Sequence, residues 1–144
     1  MKKKYLILPV LLLCMLFLVG CNKGGDKATL TENTDYTIDN TYPVNNMDLT
    51  QRGYYIDTLN EPDAPYFYII SLGNKSEEMY TLKIKEVTRV NDKTEIVVEE
   101  VAPTQEEMAQ EGFRYQAIVV KFPKYQKNVT IKNTAGEEYK LLEN

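Results

Sequence analysis

The residues from Met79 to Val101 constrain this chain most. Between Met79 and Val90 the side chains of Tyr80, Leu82 and Ile84 alternate with Thr81, Lys83 and Lys85. That period of two suits a strand with one packed face and one wet face. Asn91, Asp92 and Lys93 supply a tight turn. Thr94 to Val101 then returns with Ile96 and Val98 on the expected core face, and Pro103 stops the strand.

Similar short runs of β-branched and aromatic residues recur on both sides of this hairpin. Arg52 to Leu59 is one, and Glu61, Pro62, Asp63 and Ala64 make the turn that follows it. Pro65 to Leu72 is a near-continuous apolar run, which predicts a strand covered on both faces. Tyr115 to Phe122 carries Ile118, Val120 and Phe122 on one face, Pro123 ends it, and Val129, Ile131 and Tyr139 to Leu142 finish the sheet. Thr104, Gln105, Glu106 and Glu107 fit a capping box with Gly112 as the stop, which predicts one short surface helix with Met108 and Ala109 as its main apolar residues. The expected fold is all-β: six to seven mostly antiparallel strands and one short helix, in a small β-sandwich or an open barrel.

The N-terminus follows other rules. Lys2, Lys3 and Lys4 precede an apolar run from Tyr5 to Val19 that only Pro9 and Cys14 interrupt, the charged and greasy parts of a signal peptide. At about fifteen residues the run is short of the roughly twenty that a spanning helix needs. It ends Leu18, Val19, Gly20, Cys21, which resembles the lipobox of bacterial lipoproteins. Small Gly20 gives a peptidase access to the backbone, and the Cys21 thiol can take diacylglycerol as a thioether. Cleavage between Gly20 and Cys21 is therefore expected, with residues 1–20 as signal peptide and the membrane as first partner through lipid on Cys21. Acyl chains at about 0.8 kcal/mol per buried CH2 make such an attachment durable.

Residues 21–47 are mostly Thr, Asn, Asp, Gly and Lys, with scattered Leu30, Tyr36, Ile38, Tyr42 and Val44. This composition predicts a lipidated N-terminus and flexible tether that lifts the domain off the membrane, unless Asp35 to Asp39 docks as an edge strand. The folded domain is expected over residues 48–144. Removal of the first twenty residues, with their three lysines, takes the balance from 17 basic and 21 acidic residues to 14 and 21. That charge argues against nucleic acid and against a polybasic lipid-binding face.

The chain has no histidine, and its two cysteines are Cys14, in the signal, and Cys21. Ser-His-Asp and Cys-His nucleophiles cannot be assembled from what remains, and zinc and copper lose their usual ligands. No catalytic residue, metal or cofactor is expected. Glu77 with Glu78, Glu99 with Glu100, Glu106 with Glu107 and Glu137 with Glu138 are adjacent pairs. Neighbours on a strand point to opposite faces, so these are not dyads. Asn33, Asp35, Asp39 and Asn40 form an oxygen-rich cluster without the loop pattern of an EF-hand.

Tyrosine pairs a large apolar body with a polar tip, suited both to half-buried strand positions and to binding surfaces. If Phe67 and Ile69 face the core, Tyr66 and Tyr68 share the opposite face. With Tyr54 they are the candidate contact residues.

The order of features from Tyr66 to about Ile131 resembles the C-terminal domain family of the protease complex subunit PrcB, small modules of bacterial lipoproteins. An apolar strand leads into a glycine turn and a tyrosine (Tyr66 to Leu72, Gly73, Tyr80). A strand ends in proline after acidic residues (Ile96 to Pro103), and a Met-containing loop precedes an aliphatic strand that ends Lys-Phe-Pro-Lys (Met108, then Tyr115 to Lys124). Met79 and Gln116 stand where the family tends to have glycine and proline. The resemblance implies a non-catalytic partner of a surface protease complex that supports its stability or assembly.

Taken with the lipobox, these features predict a lipid-anchored interaction module on the extracytoplasmic face of the cell membrane. It would bind an envelope protein, which the resemblance makes a protease. The alternative is a glycan- or peptide-binding lipoprotein that uses its tyrosines as stacking platforms.

Overall fold

The computed structural model describes residues 25–74, 80–109 and 117–143. Nine strands lie among them: β1 (Lys27–Thr29), β2 (Thr37–Ile38), β3 (Arg52–Thr58), β4 (Tyr66–Leu72), β5 (Thr81–Val90), β6 (Lys93–Val101), β7 (Ala117–Phe122), β8 (Asn128–Asn133) and β9 (Glu138–Tyr139). One short helix, α1 (Gln105–Met108), follows β6. The strands form two open sheets, ordered β1-β5-β6-β8-β9 and β2-β7-β4-β3. The all-β expectation holds, as stacked open sheets and not as a closed barrel. The two strands beyond the expected range, β1 and β2, both come from the polar N-terminal stretch.

The β5–β6 hairpin forms where the alternation placed it. Val90 pairs with Lys93, so Asn91 and Asp92 alone make the turn, and Asn91 takes the left-handed conformation (φ 56°) that asparagine tolerates. A register shift between Ile84 and Glu86 leaves Lys85 as an extra residue in β5. This bulge resets the alternation so that Val87, and not Glu86, joins Leu82 in the core. Every strand pair is antiparallel except β6–β8. The chain leaves β6, passes through β7 in the other sheet and returns as β8, a crossover long enough for parallel pairing. At α1, Thr104 caps the Glu107 N–H and the Glu107 side chain returns a bond to the Thr104 N–H. The expected stop at Gly112 lies outside the described residues.

The main core fills the space between the sheets. Tyr68, Ile70, Leu72, Val120 and Phe122 from one sheet meet Val87, Ile96, Val98 and Ile131 from the other. The sheets are also tied along one edge, because the chain after β9 runs beside β3: Tyr54 N–H donates to the Lys140 carbonyl (2.9 Å) and Leu142 N–H to the Tyr54 carbonyl (2.8 Å). Gly53 permits that approach. A Cβ there would lie 2.5 Å from the Lys140 carbonyl oxygen and 2.6 Å from Leu142.

The expectation of a tether through residue 47 is corrected over its described part. Leu30 and Tyr36 are buried in the core between the sheets, β1 pairs with β5, and β2 pairs with β7. Tyr42, Val44, Met47 and Leu49 then cross the outer face of β4, over Tyr55, Phe67, Ile69 and Val119. The Tyr42 ring stacks on Phe67 at 4.0 Å between centroids, while Ser71 and Tyr55 donate hydroxyl bonds to the Leu49 and Asp48 carbonyls. The scattered apolar residues of a polar segment are what this cover consists of. It also accounts for the unbroken apolar run of β4, which is buried on both faces. The folded unit therefore includes residues 25–47 as well as those after them.

Candidate functional site

Strand alternation fixes where the predicted tyrosines point. Tyr66 and Tyr68 do share the face opposite to Phe67 and Ile69, but that face looks into the main core. Tyr68 is 0% exposed and Tyr54 is 8% exposed, so neither can belong to a contact patch. The physical reason is that both faces of the sheet are covered: one by the second sheet, the other by residues 42–49. The Tyr68 ring meets Phe122 edge-on at 5.5 Å and lies 6.5 Å from Tyr54. Burial pushes the Tyr68 phenol up to about 12, and it raises Tyr54 as well.

The Tyr68 hydroxyl has another task. It donates to the Gln126 carbonyl (3.2 Å) and accepts the Gln126 N–H (3.0 Å). The Gln126 side-chain oxygen accepts from Thr94 (2.8 Å) and from Arg89 (2.8 Å), and its amide donates to the Lys124 carbonyl (2.8 Å). The β7–β8 loop is thus fixed to both sheets at one residue, and that residue follows Tyr125.

Tyr125 is the exposed tyrosine that the candidate trio lacked. It is 53% exposed and packs on partly buried Tyr66 with 5.2 Å between ring centroids. Leu59, 47% exposed, lines the same depression with Asn60, Glu61, Asp63 and Lys124. Three adjoining depressions open on this end of the sandwich and all include Pro123. The two others bring in Asp35, Lys121, Arg89 and Asp92. The result is a small aromatic and aliphatic patch rimmed by charges of both signs. A sequence signal existed: Pro123 ends β7, so Tyr125 had to fall in a loop at the sheet's end.

A second cluster gathers at the opposite end. Glu100 shares the strand parity of Ile96 and Val98, and its side chain is only 6% exposed. Arg52 pairs with it, and the same oxygen accepts bonds from Tyr139 (2.7 Å) and Asn133 (3.2 Å). Arg52 also approaches Glu137 at 3.4 Å and lies 4.2 Å from the centre of the Tyr139 ring. Burial, and then the bond to Glu100, hold the Tyr139 phenol well above its ordinary value. The cluster joins β3, β6, β8 and β9 and its groups bond to one another, which is the work of a structural lock.

The oxygen-rich N-terminal residues serve local turns. Asp35 accepts the Thr31 N–H at 2.8 Å, and Asp39 accepts both the N–H and the hydroxyl of Thr41. Among the described residues no three His, Cys, Asp or Glu side chains gather in a metal-holding arrangement. Gly20 and Cys21 lie outside the described residues, as do Ser76, Glu77 and Glu78. Among the described residues no helix is long and apolar enough to cross a membrane. No family model, curated protein or solved structure matches the chain. The resemblance to the PrcB C-terminal domain family accordingly rests on the quoted motifs.

Proposed function

We propose that the chain is a lipid-anchored, non-catalytic interaction module. It is held at the extracytoplasmic face of the cell membrane through Cys21 and supports an envelope protein partner there. The observation that carries this reading is the patch of Leu59, Tyr66 and Tyr125. The bonds of buried Tyr68 to Gln126 hold the loop of Tyr125 in place, and large apolar groups without a cover inside the domain mark contact sites, for the membrane beside Cys21 or for a protein held there. The lipobox supplies the location. The resemblance to the PrcB C-terminal family supplies the kind of partner, a surface protease complex that the module stabilises or helps to assemble.

Mild crosslinking of intact cells followed by purification of the tagged protein tests this reading, with a Cys21→Ala version beside it. Enrichment of one envelope protein with the anchored form alone is the expected result. Recovery of both forms without a specific companion sinks it.

The Tyr66–Tyr125 pair also favours a second reading, a glycan- or peptide-binding lipoprotein, because an exposed ring beside Asn60, Glu61 and Asp63 can stack on a sugar whose hydroxyls meet the polar rim. A ligand of that kind would raise the melting temperature in proportion to the logarithm of its concentration above Kd.

A further inference from the structure

The patch lies at the end where the chain comes in from its lipid, and this names what it touches. The argument rests on the anchor at Cys21 proposed above. Four residue steps separate Cys21 from Gly25, so their Cα atoms are at most about 14 Å apart even in a fully extended chain. Gly25 lies on the β5–β6 turn: a Cβ there would fall 2.1 Å from the Asn91 side-chain oxygen. Two residues on, Lys27 pairs with Val90. Asp92, the other residue of that turn, lines the same depression as Lys124 and Tyr125. A leash this short cannot carry the patch far beyond the headgroup layer, which is itself roughly 5–8 Å deep on each side.

We infer that the domain stands on the membrane by this end, with Leu59 and Tyr125 in contact with the lipid interface. The chemistry suits the occupant. Tyrosine is enriched at membrane surfaces because its ring can enter the acyl boundary while its hydroxyl stays among headgroups. Around the patch, Lys121, Lys124, Lys127 and Arg89 stand against Asp35, Glu61, Asp63 and Asp92. Charge this evenly matched gives little attraction to anionic lipid, so the contact depends on the leash, which supplies a high local concentration of surface. The Arg52–Glu100 end and the β8–β9 turn then face away from the bilayer, where an envelope partner can reach them.

The lipidated protein in vesicles of phosphatidylethanolamine and phosphatidylglycerol provides the test. Asn60→Cys, Tyr125→Cys and Ala135→Cys variants each carry one free thiol for a nitroxide, because Cys21 is blocked by its lipid. Collision with a water-soluble nickel chelate is compared with that of the same sites in a protein of residues 22–144, which carries neither Cys14 nor Cys21. The expected result is a several-fold loss of chelate access at residues 60 and 125 and none at residue 135. Equal access at all three sites with an acylated Cys21, verified by mass spectrometry of the N-terminal peptide, overturns the orientation and leaves the anchor standing. A bare Cys21 overturns both. Shielding in native membranes but not in pure lipid gives the patch to a protein and also overturns the inference.

Discussion

The phenol of Tyr68 both donates to and accepts from the backbone of a single residue, Gln126. A core side chain of β4 thereby fixes a surface loop 58 residues further along the sequence, and with it the ring of Tyr125. Tyr68→Phe keeps the ring packing and leaves the Gln126 N–H and carbonyl without their partner. An unsatisfied buried group costs about 1–3 kcal/mol, so a loss in that range is expected from urea unfolding. Faster amide exchange should be confined to residues 124–127. Uniform loosening of both sheets would contradict the assigned role.

The tyrosines also set an alkaline limit. Tyr42 and Tyr68 are pushed up to about 12, first of all by burial, and Tyr36, Tyr54, Tyr55 and Tyr139 are raised too. A folded-state value above the unfolded value of about 10 means that the unfolded chain loses these protons first. The corresponding stability is fully present below pH 10 and declines as pH rises from about 10 toward 12. Unfolding midpoints measured across that interval should fall steadily. A flat profile would show that the buried phenols gain no proton affinity on folding.

At the other end, Glu100 and Arg52 form a pair whose value is best read from its breakage. Glu100→Ala leaves the guanidinium with Glu137 and the Tyr139 ring as partners and removes the acceptor of two further bonds. Breaking a buried pair costs about 3–5 kcal/mol. Because Arg52 keeps 31% of its side chain in water, the lower end of that range is expected. A double-mutant cycle with Arg52→Met checks it, since the double variant should lose less than the two single losses added together. Additive losses would mean that the two residues act independently.

Much of the sandwich was legible because strand signals are local. The Tyr80, Leu82, Ile84 alternation, the Asn91–Asp92 turn and the stop at Pro103 needed no knowledge of what lay opposite. Burial was harder to read, since it depends on partners far along the chain. Parity put Tyr66 and Tyr68 on one face, but only the position of the second sheet makes that face the interior. Glu100 has the parity of Ile96 and Val98, but no local signal marks it as a buried carboxylate, because its guanidinium comes from a strand 48 residues away. Leu30, Tyr36 and Tyr42 are spaced too widely to show a period, so their polar neighbours dominated the reading of residues 21–47.

The packing of residues 25–47 gives the sharpest stability prediction. Were residues 25–47 a tether, a protein starting at residue 48 would melt like one starting at residue 25. In the structure the shorter protein loses Leu30 and Tyr36 from between the sheets, loses β1 and β2 from two sheet edges, and uncovers Phe67 and Ile69 where Tyr42, Val44 and Met47 had lain. Full burial of one large apolar side chain is worth about 1.5–3 kcal/mol, and a domain has only about 5–15 kcal/mol in all. Removing two such side chains and three partly buried ones, and uncovering two more, costs an amount of the same size as that margin. The protein of residues 48–144 should therefore show no cooperative thermal transition by circular dichroism and should bind a hydrophobic dye, whereas residues 25–144 should melt in one step. Tyr42→Ala within the longer protein gives the graded version, a lowered midpoint with cooperativity kept. Identical melting of the long and short proteins would restore the tether and remove residues 25–47 from the fold.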